Sequence, residues 1–64
     1  MNTQLALDLR LARRKAGFTQ DDAAHLLGVR APRLSVLEQG RKRPNLVQIC
    51  TLSLIYGRSF ESLF

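Results

Sequence analysis

Apolar positions along the chain recur at helical rather than strand spacing. Leu5, Leu9, Ala12 and Ala16 stand at i, i+4, i+7 and i+11 and so share one helix face. Asn2 or Thr3 can cap this first helix, and Gly17, just past Ala16, can end it. Leu7 and Leu11 lie roughly 200° away at about 100° per residue, so this helix either touches a second surface or exposes two leucines. A second helix begins at Thr19. Its hydroxyl can accept from the Asp22 NH while the Asp22 carboxylate reaches back to the Thr19 NH, a capping box with Asp in place of Glu or Gln. Asp21 and Asp22 also suit the positive end of a helix. Ala23, Ala24 and Leu27 form its inner side, and His25 and Leu26 its outer side. Gly28 permits the positive φ of a tight turn, with Val29 as an apolar plug beside it. A third helix then runs from Ala31 to about Gln39. Pro32 is tolerated because it falls in the first turn, where no intrahelical NH is needed. Leu34 and Leu37 point inward, Ala31, Pro32, Arg33 and Val36 point outward, and Gly40 closes the helix.

After a basic loop, Arg41-Lys42-Arg43-Pro44, Asn45 can cap a fourth helix from Leu46 to about Tyr56. Leu46, Ile49, Leu52 and Tyr56 make its inner face. Val47, Cys50 and Leu54 make a second apolar stripe, with Ile55 nearby. A surface helix that is apolar nearly all round is unusual and asks for a second partner. Gly57 ends this helix, and Ser59 can cap a last turn, Phe60 to Phe64, anchored by Phe60 and Leu63. The pattern predicts an all-α fold, four helices and a last turn, in one domain spanning residues 1–64. Either the domain ends at Phe64 or the chain is part of a longer protein.

Composition narrows this picture. A chain of 64 residues buries only about 60% of its unfolded surface, so its stability is marginal. Disulfides, metals, oligomers or tight helical packing ordinarily make up the difference. Cys50 is the only cysteine and His25 the only histidine, which excludes an intrachain disulfide and a zinc site of the usual kind. A lone thiol fits a reducing cytosol better than a secreted scaffold. The net charge is +5 and the pI about 10.8. The basic residues gather in two clusters, Arg10–Arg13–Arg14–Lys15 and Arg41–Lys42–Arg43, with Arg30 and Arg33 between them, a distribution that suits a polyanion. No apolar run reaches the roughly 18 residues of a membrane span, and no secretory signal pattern opens the chain. Ser35, Ser53 and His25 fall on separate elements with no clustered acid, base or nucleophile, so catalysis is not expected.

Two short helices joined by a glycine turn, Thr19 to Gly40, are the sequence image of a helix-turn-helix. In that motif one helix crosses the DNA backbone so that the next can enter the major groove. With these residues in view, the chain resembles the Cro- and phage-repressor-like helix-turn-helix proteins, the xenobiotic-response-element family. The resemblance is carried by Leu9-Arg10, Arg13, Gly17, Thr19-Gln20, Ala24, Gly28-Val29, Leu37-Glu38, Gly40, Arg43-Pro44 and the closing Gly57-x-Ser59-Phe60-Glu61-x-Leu63, with spacing kept from about Leu5 to Phe64. It implies a compact five-helix globule whose second and third helices form the motif. It further implies that Ala31, Pro32, Arg33 and Val36 face base edges, and that Gln20, Arg30, Gln39, Arg41, Lys42 and Arg43 meet phosphates. The resemblance also pairs Arg13 with Glu38 as a partly buried ion pair.

The chain departs from that family where readout is at stake. Arg30 stands where Ser or Thr usually caps the third helix, and it cannot cap. Three of the four base-facing residues are apolar, leaving Arg33 as the one side chain able to grip guanine O6 and N7, while the rest can pack against thymine methyls. Phosphate positioning with modest direct readout, helped by DNA shape, is therefore expected. The reading these features favour is a transcriptional repressor acting on a palindromic operator as a homodimer through Val47, Cys50, Leu54, Ile55 and Phe64. Such a regulator works in the cytoplasm, at the nucleoid of a prokaryote or on phage DNA, without cofactor or metal. The alternatives are the antitoxin of a toxin–antitoxin pair, which holds a toxin as well as DNA, and an interaction adaptor that kept the fold and lost the readout.

Overall fold

Each helix among the described residues is followed by a glycine at positive φ: Gly17 at 84°, Gly28 at 82°, Gly40 at 74° and Gly57 at 65°. The computed structural model describes residues 3–60. It contains α1 (Thr3–Lys15), α2 (Gln20–Leu27), α3 (Ala31–Glu38) and α4 (Leu46–Tyr56). Four helices are thus found among the described residues where five were expected. Ser59 and Phe60 are non-helical, and the remainder of the expected fifth helix lies outside the described residues, as do Asn2, Leu63 and Phe64.

Local chemistry accounts for the boundaries. Thr19 Oγ1 accepts from the Asp22 NH at 3.1 Å, and the Asp22 carboxylate accepts from the Thr19 NH at 3.3 Å, which closes the capping box of α2. α4 has a second box: Asn45 Oδ1 accepts from the Gln48 NH at 2.8 Å, and Gln48 Oε1 accepts from the Asn45 NH at 2.9 Å. An Asn-x-x-Gln run announces it as clearly as Thr-x-x-Asp does. α3 has neither device; Arg30 takes the extended N-cap conformation with no side-chain bond to the helix.

Two apolar clusters hold the helices together. One joins α1 to α4 and the segment after it through Leu5, Leu9, Ala12, Ile49, Leu52 and Phe60. The other joins α2 to α3 through Ala23, Ala24, Leu34 and Leu37. Tyr56 packs against both. Its ring lies 6.2 Å from Phe18 and 6.3 Å, edge-on, from Phe60. The alanines matter by being small: they let α2 and α3 approach closely enough for Leu34 and Leu37 to be buried. Each such leucine removed from water contributes about 1.5–3 kcal/mol.

Three expectations are corrected by this packing. Ala16 is exposed rather than part of the α1 stripe, because α1 ends at Lys15, one residue before it; Ala6 is buried instead. Leu46 is 61% exposed. It is the first residue of α4, ahead of the turn where Ile49 and Leu52 meet α1. Leu27 is half-buried, at the seam between the two clusters.

Candidate nucleic-acid interface

The short turn between α2 and α3 fixes how the two helices cross. Gly28 at φ 82° donates its NH back to the end of α2, and the Val29 NH reaches the Ala24 carbonyl at 3.0 Å. A β-carbon added at Gly28 would meet no atom within 4 Å, so what glycine supplies there is the left-handed backbone and not space. Val29 tucks against the α2–α3 cluster, and α3 starts two residues later.

The far end of α3 is anchored by Glu38, which is 2% exposed. Arg13 Nε donates to Glu38 Oε2 at 2.8 Å and Arg13 Nη2 to Oε1 at 3.3 Å. Gln20 Nε2 donates to the same Oε1 at 3.1 Å, and Arg10 Nη2 to the Glu38 carbonyl at 3.4 Å. Arg13 Nη1 is used as well, on the Phe18 carbonyl at 2.9 Å. One carboxylate thereby ties α1, the α1–α2 turn and the start of α2 to the end of α3. The Glu38 hydrogen bond, opposed by burial, holds the Arg13 guanidinium above its ordinary pKa, so it stays charged. Burial, reinforced by the Glu38 charge and opposed by Arg13, pushes the Tyr56 phenol up to about 12. Its hydroxyl is buried and has no hydrogen-bond partner among the described residues.

Leu34, Leu37 and Glu38 define the inner side of α3. At about 100° per residue, Pro32 and Val36 lie opposite them, Arg33 on one flank and Ser35 and Gln39 on the other. Ala31 falls toward the inner side, and the structure has it half-buried against Leu34 and its neighbours. Among the four residues expected to face bases, then, Pro32 and Arg33 are exposed, and Val36 and Ala31 are half-buried. Ser35 was not singled out in the sequence. Gln39 Nε2 donates to its hydroxyl at 3.0 Å, which fixes both side chains on the outer flank. An i, i+4 polar pair on that face is the sequence signal for it.

Cations frame this face. Arg30, Arg41, Lys42 and Arg43 are exposed before and after α3. Among the described residues, Arg30, Arg33, Arg41 and Lys42 take part in no ion pair. A second salt bridge lies elsewhere: Arg58 Nη2 to Asp8 Oδ2 at 2.7 Å, joining the end of α4 to α1, with the guanidinium 5.3 Å from the Phe60 ring centre. Gln20, expected at a phosphate, gives one amide hydrogen to Glu38 and keeps the other. The arrangement is a helix face with exposed cations on both sides, suited to a grooved polyanion.

Residues 4–61 match a protein family described as a helix-turn-helix domain, one typical of xenobiotic-response-element-like DNA-binding regulators. No curated protein and no solved structure gives a significant match.

Proposed function

The chain belongs to the helix-turn-helix domain family, and from that premise we propose that it is a sequence-specific transcriptional repressor binding a palindromic operator as a homodimer. The observation that carries the reading is the contrast within α3. Its last residue, Glu38, is locked to the scaffold, while its outward face stands among exposed cations of which Arg30, Arg33, Arg41 and Lys42 take part in no ion pair among the described residues. In this reading α3 enters the major groove. Arg33 supplies a bidentate grip on one guanine per half-site, and Pro32, Val36 and the edge of Ala31 pack against thymine methyls. Arg30, Arg41, Lys42 and Arg43, the free amide hydrogen of Gln20, and Gln39 meet phosphates. Because nothing caps α3, its N-terminal dipole is also available to a phosphate oxygen.

The exposed stripe of α4, Val47, Cys50 and Leu54 with half-buried Ile55, is the proposed contact between protomers. Phe64, expected to join it, lies outside the described residues. Two copies placing their α3 helices about 34 Å apart reach successive major-groove faces.

Selection of duplexes from a random pool tests the whole reading. The expected result is a two-fold sequence with one guanine per half-site and half-sites one helical turn apart. Enrichment of no sequence overturns it. With about five phosphates neutralised per protomer, log affinity should fall against log salt with a slope near about −9. A salt-insensitive complex removes the electrostatic part.

A further inference from the structure

The basic cluster at the end of α1 is only half used inside the fold. Arg10 and Arg13 donate to Glu38, whereas Arg14 and Lys15 are exposed and take part in no ion pair among the described residues. Cations in a last turn suit the negative end of a helix, which accounts for their charge but not for what lies beside them. Asp8, Leu11, Ala12 and Lys15 stand at i, i+3, i+4 and i+7, one stripe along α1. Between that stripe and the end of α4 opens a cleft of about 410 Å³, lined by Leu11, Ala12, Lys15, Ala16, Tyr56 and Arg58 on either side of Gly57. Leu11 is 50% exposed, and Leu7, one turn earlier, 47%.

Charge and shape together decide what can cover it. Arg58 is held by Asp8 at 2.7 Å, so these two cancel, while Lys15 and the neighbouring Arg14 are left uncompensated. DNA offers phosphates to the cations but nothing to the leucines. A lipid surface takes side chains that protrude, whereas Leu11 lines a hollow. A second copy brings the same net charge of +5. An acidic amphipathic segment satisfies both parts, with large apolar side chains over Leu11 and Tyr56 and carboxylates on Arg14 and Lys15.

We propose that the cleft between α1 and α4 docks an acidic amphipathic segment of a second protein. Its place in the fold keeps it clear of α3. Arg13 reaches α3, and Leu11, two residues earlier, lies about 160° from it around α1 at about 100° per residue. None of the residues assigned to DNA lines the cleft. Docking there needs nothing of α3, so it holds whether or not α3 reads DNA. Gly57 and Arg58 also border the hollow beside Cys50 and Leu54, so the cleft adjoins the proposed protomer contact at one edge. Leu11 and Lys15 belong to the α1 side alone, which makes them the residues to change.

A phage-displayed library of random peptides, selected on the full chain, tests this. It should enrich peptides with Asp or Glu set between Leu, Ile or Phe at helical spacing. A synthetic copy of an enriched peptide should shift the amide resonances of Leu11, Lys15 and Arg58. Leu11→Ser should weaken its binding about tenfold or more by removing apolar contact. Lys15→Glu should weaken it about fivefold or more by setting like charges together. Both side chains are exposed, and circular dichroism checks that the variants stay folded. Arg41→Glu changes the net charge equally but lies outside the cleft, and should leave the affinity unchanged. Equal losses in Lys15→Glu and Arg41→Glu would mean attraction to overall charge and would overturn the site. No enrichment, or enrichment without acidic residues, overturns the partner class. Phosphatidylglycerol vesicles that shift these resonances when no peptide does assign the face to a lipid surface instead. Oligomers that grow with concentration and vanish in Leu11→Ser assign it to a second copy, through exposed Asp21, Asp22 and Leu26.

Discussion

The two ends of α3 are built in opposite ways. Its last residue, Glu38, is buried and receives hydrogen bonds from Arg13, Gln20 and, on its carbonyl, Arg10. Its first turn is uncapped, begins with an Arg where a capping side chain would stabilise it, and carries Pro32 and Arg33 out into solvent. The difference shows where rigidity is spent. A helix that must present side chains at a fixed angle needs one end immobilised. The presented end gains from keeping its dipole and its cations uncommitted until a polyanion arrives.

The largest effect should come from breaking the locked end. Arg13→Ala leaves the Glu38 carboxylate buried against one amide hydrogen, and should cost about 3–5 kcal/mol in urea or thermal unfolding. A change within experimental error would mean that α3 is oriented by its apolar contacts alone. On the presented end, Arg33→Ala should leave unfolding unchanged but cost about 1–3 kcal/mol of discrimination at a single guanine, read from binding to substituted duplexes. Arg30→Ser sharpens the comparison because its two effects have opposite sign. It should add about 1 kcal/mol to stability by capping α3. It should also weaken DNA binding at every sequence and make the salt slope of the dimer shallower by about 2, one lost contact per protomer. A gain in both would show that the uncapped end serves no purpose in binding.

The smallest effect concerns Tyr56, which bridges the two apolar clusters beside the Glu38 hub. Its hydroxyl is buried without a partner among the described residues, so Tyr56→Phe should be neutral or stabilise by up to about 1 kcal/mol. The phenol is raised in the folded state from 10.0 to about 12, so the protonated form is the one that folding favours. That contribution is fully present below pH 10 and fades as the pH rises from 10 toward 12. Alkaline titration followed by far-ultraviolet dichroism should show stability falling over that interval in the native chain. The same titration of the Phe variant should show a smaller fall.

Much of the helical framework was legible in the sequence because it depends on neighbours in the chain. The Thr19–Asp22 box, the Asn45 cap and the positive-φ glycines are satisfied within three or four residues, so residue type and spacing suffice. Misreadings occurred where periodicity was extended past the packed part of a helix. Ala16 and Leu46 keep the helical phase of the inner stripes, yet Ala16 falls one residue past the end of α1, Leu46 is the first residue of α4, and both are exposed. Ala31 went the other way, half-buried because α2 comes close to the start of α3.

The sequence by itself determined where α1 to α4 start and stop to within a residue, and that α4 is apolar on more than one face. These follow from backbone conformations and capping bonds decided locally. Only the tertiary structure decided that Arg10 and Gln20, from two helices, join on Glu38 the Arg13 that the resemblance already paired with it. It also decided that Arg58 reaches back across 50 residues to Asp8, and that the phenol of Tyr56 is buried without a partner among the described residues. A charged side chain read in sequence has every other charge as a potential partner. Which one it meets depends on how the two apolar clusters fix the helices in space, and burial then makes that meeting strong.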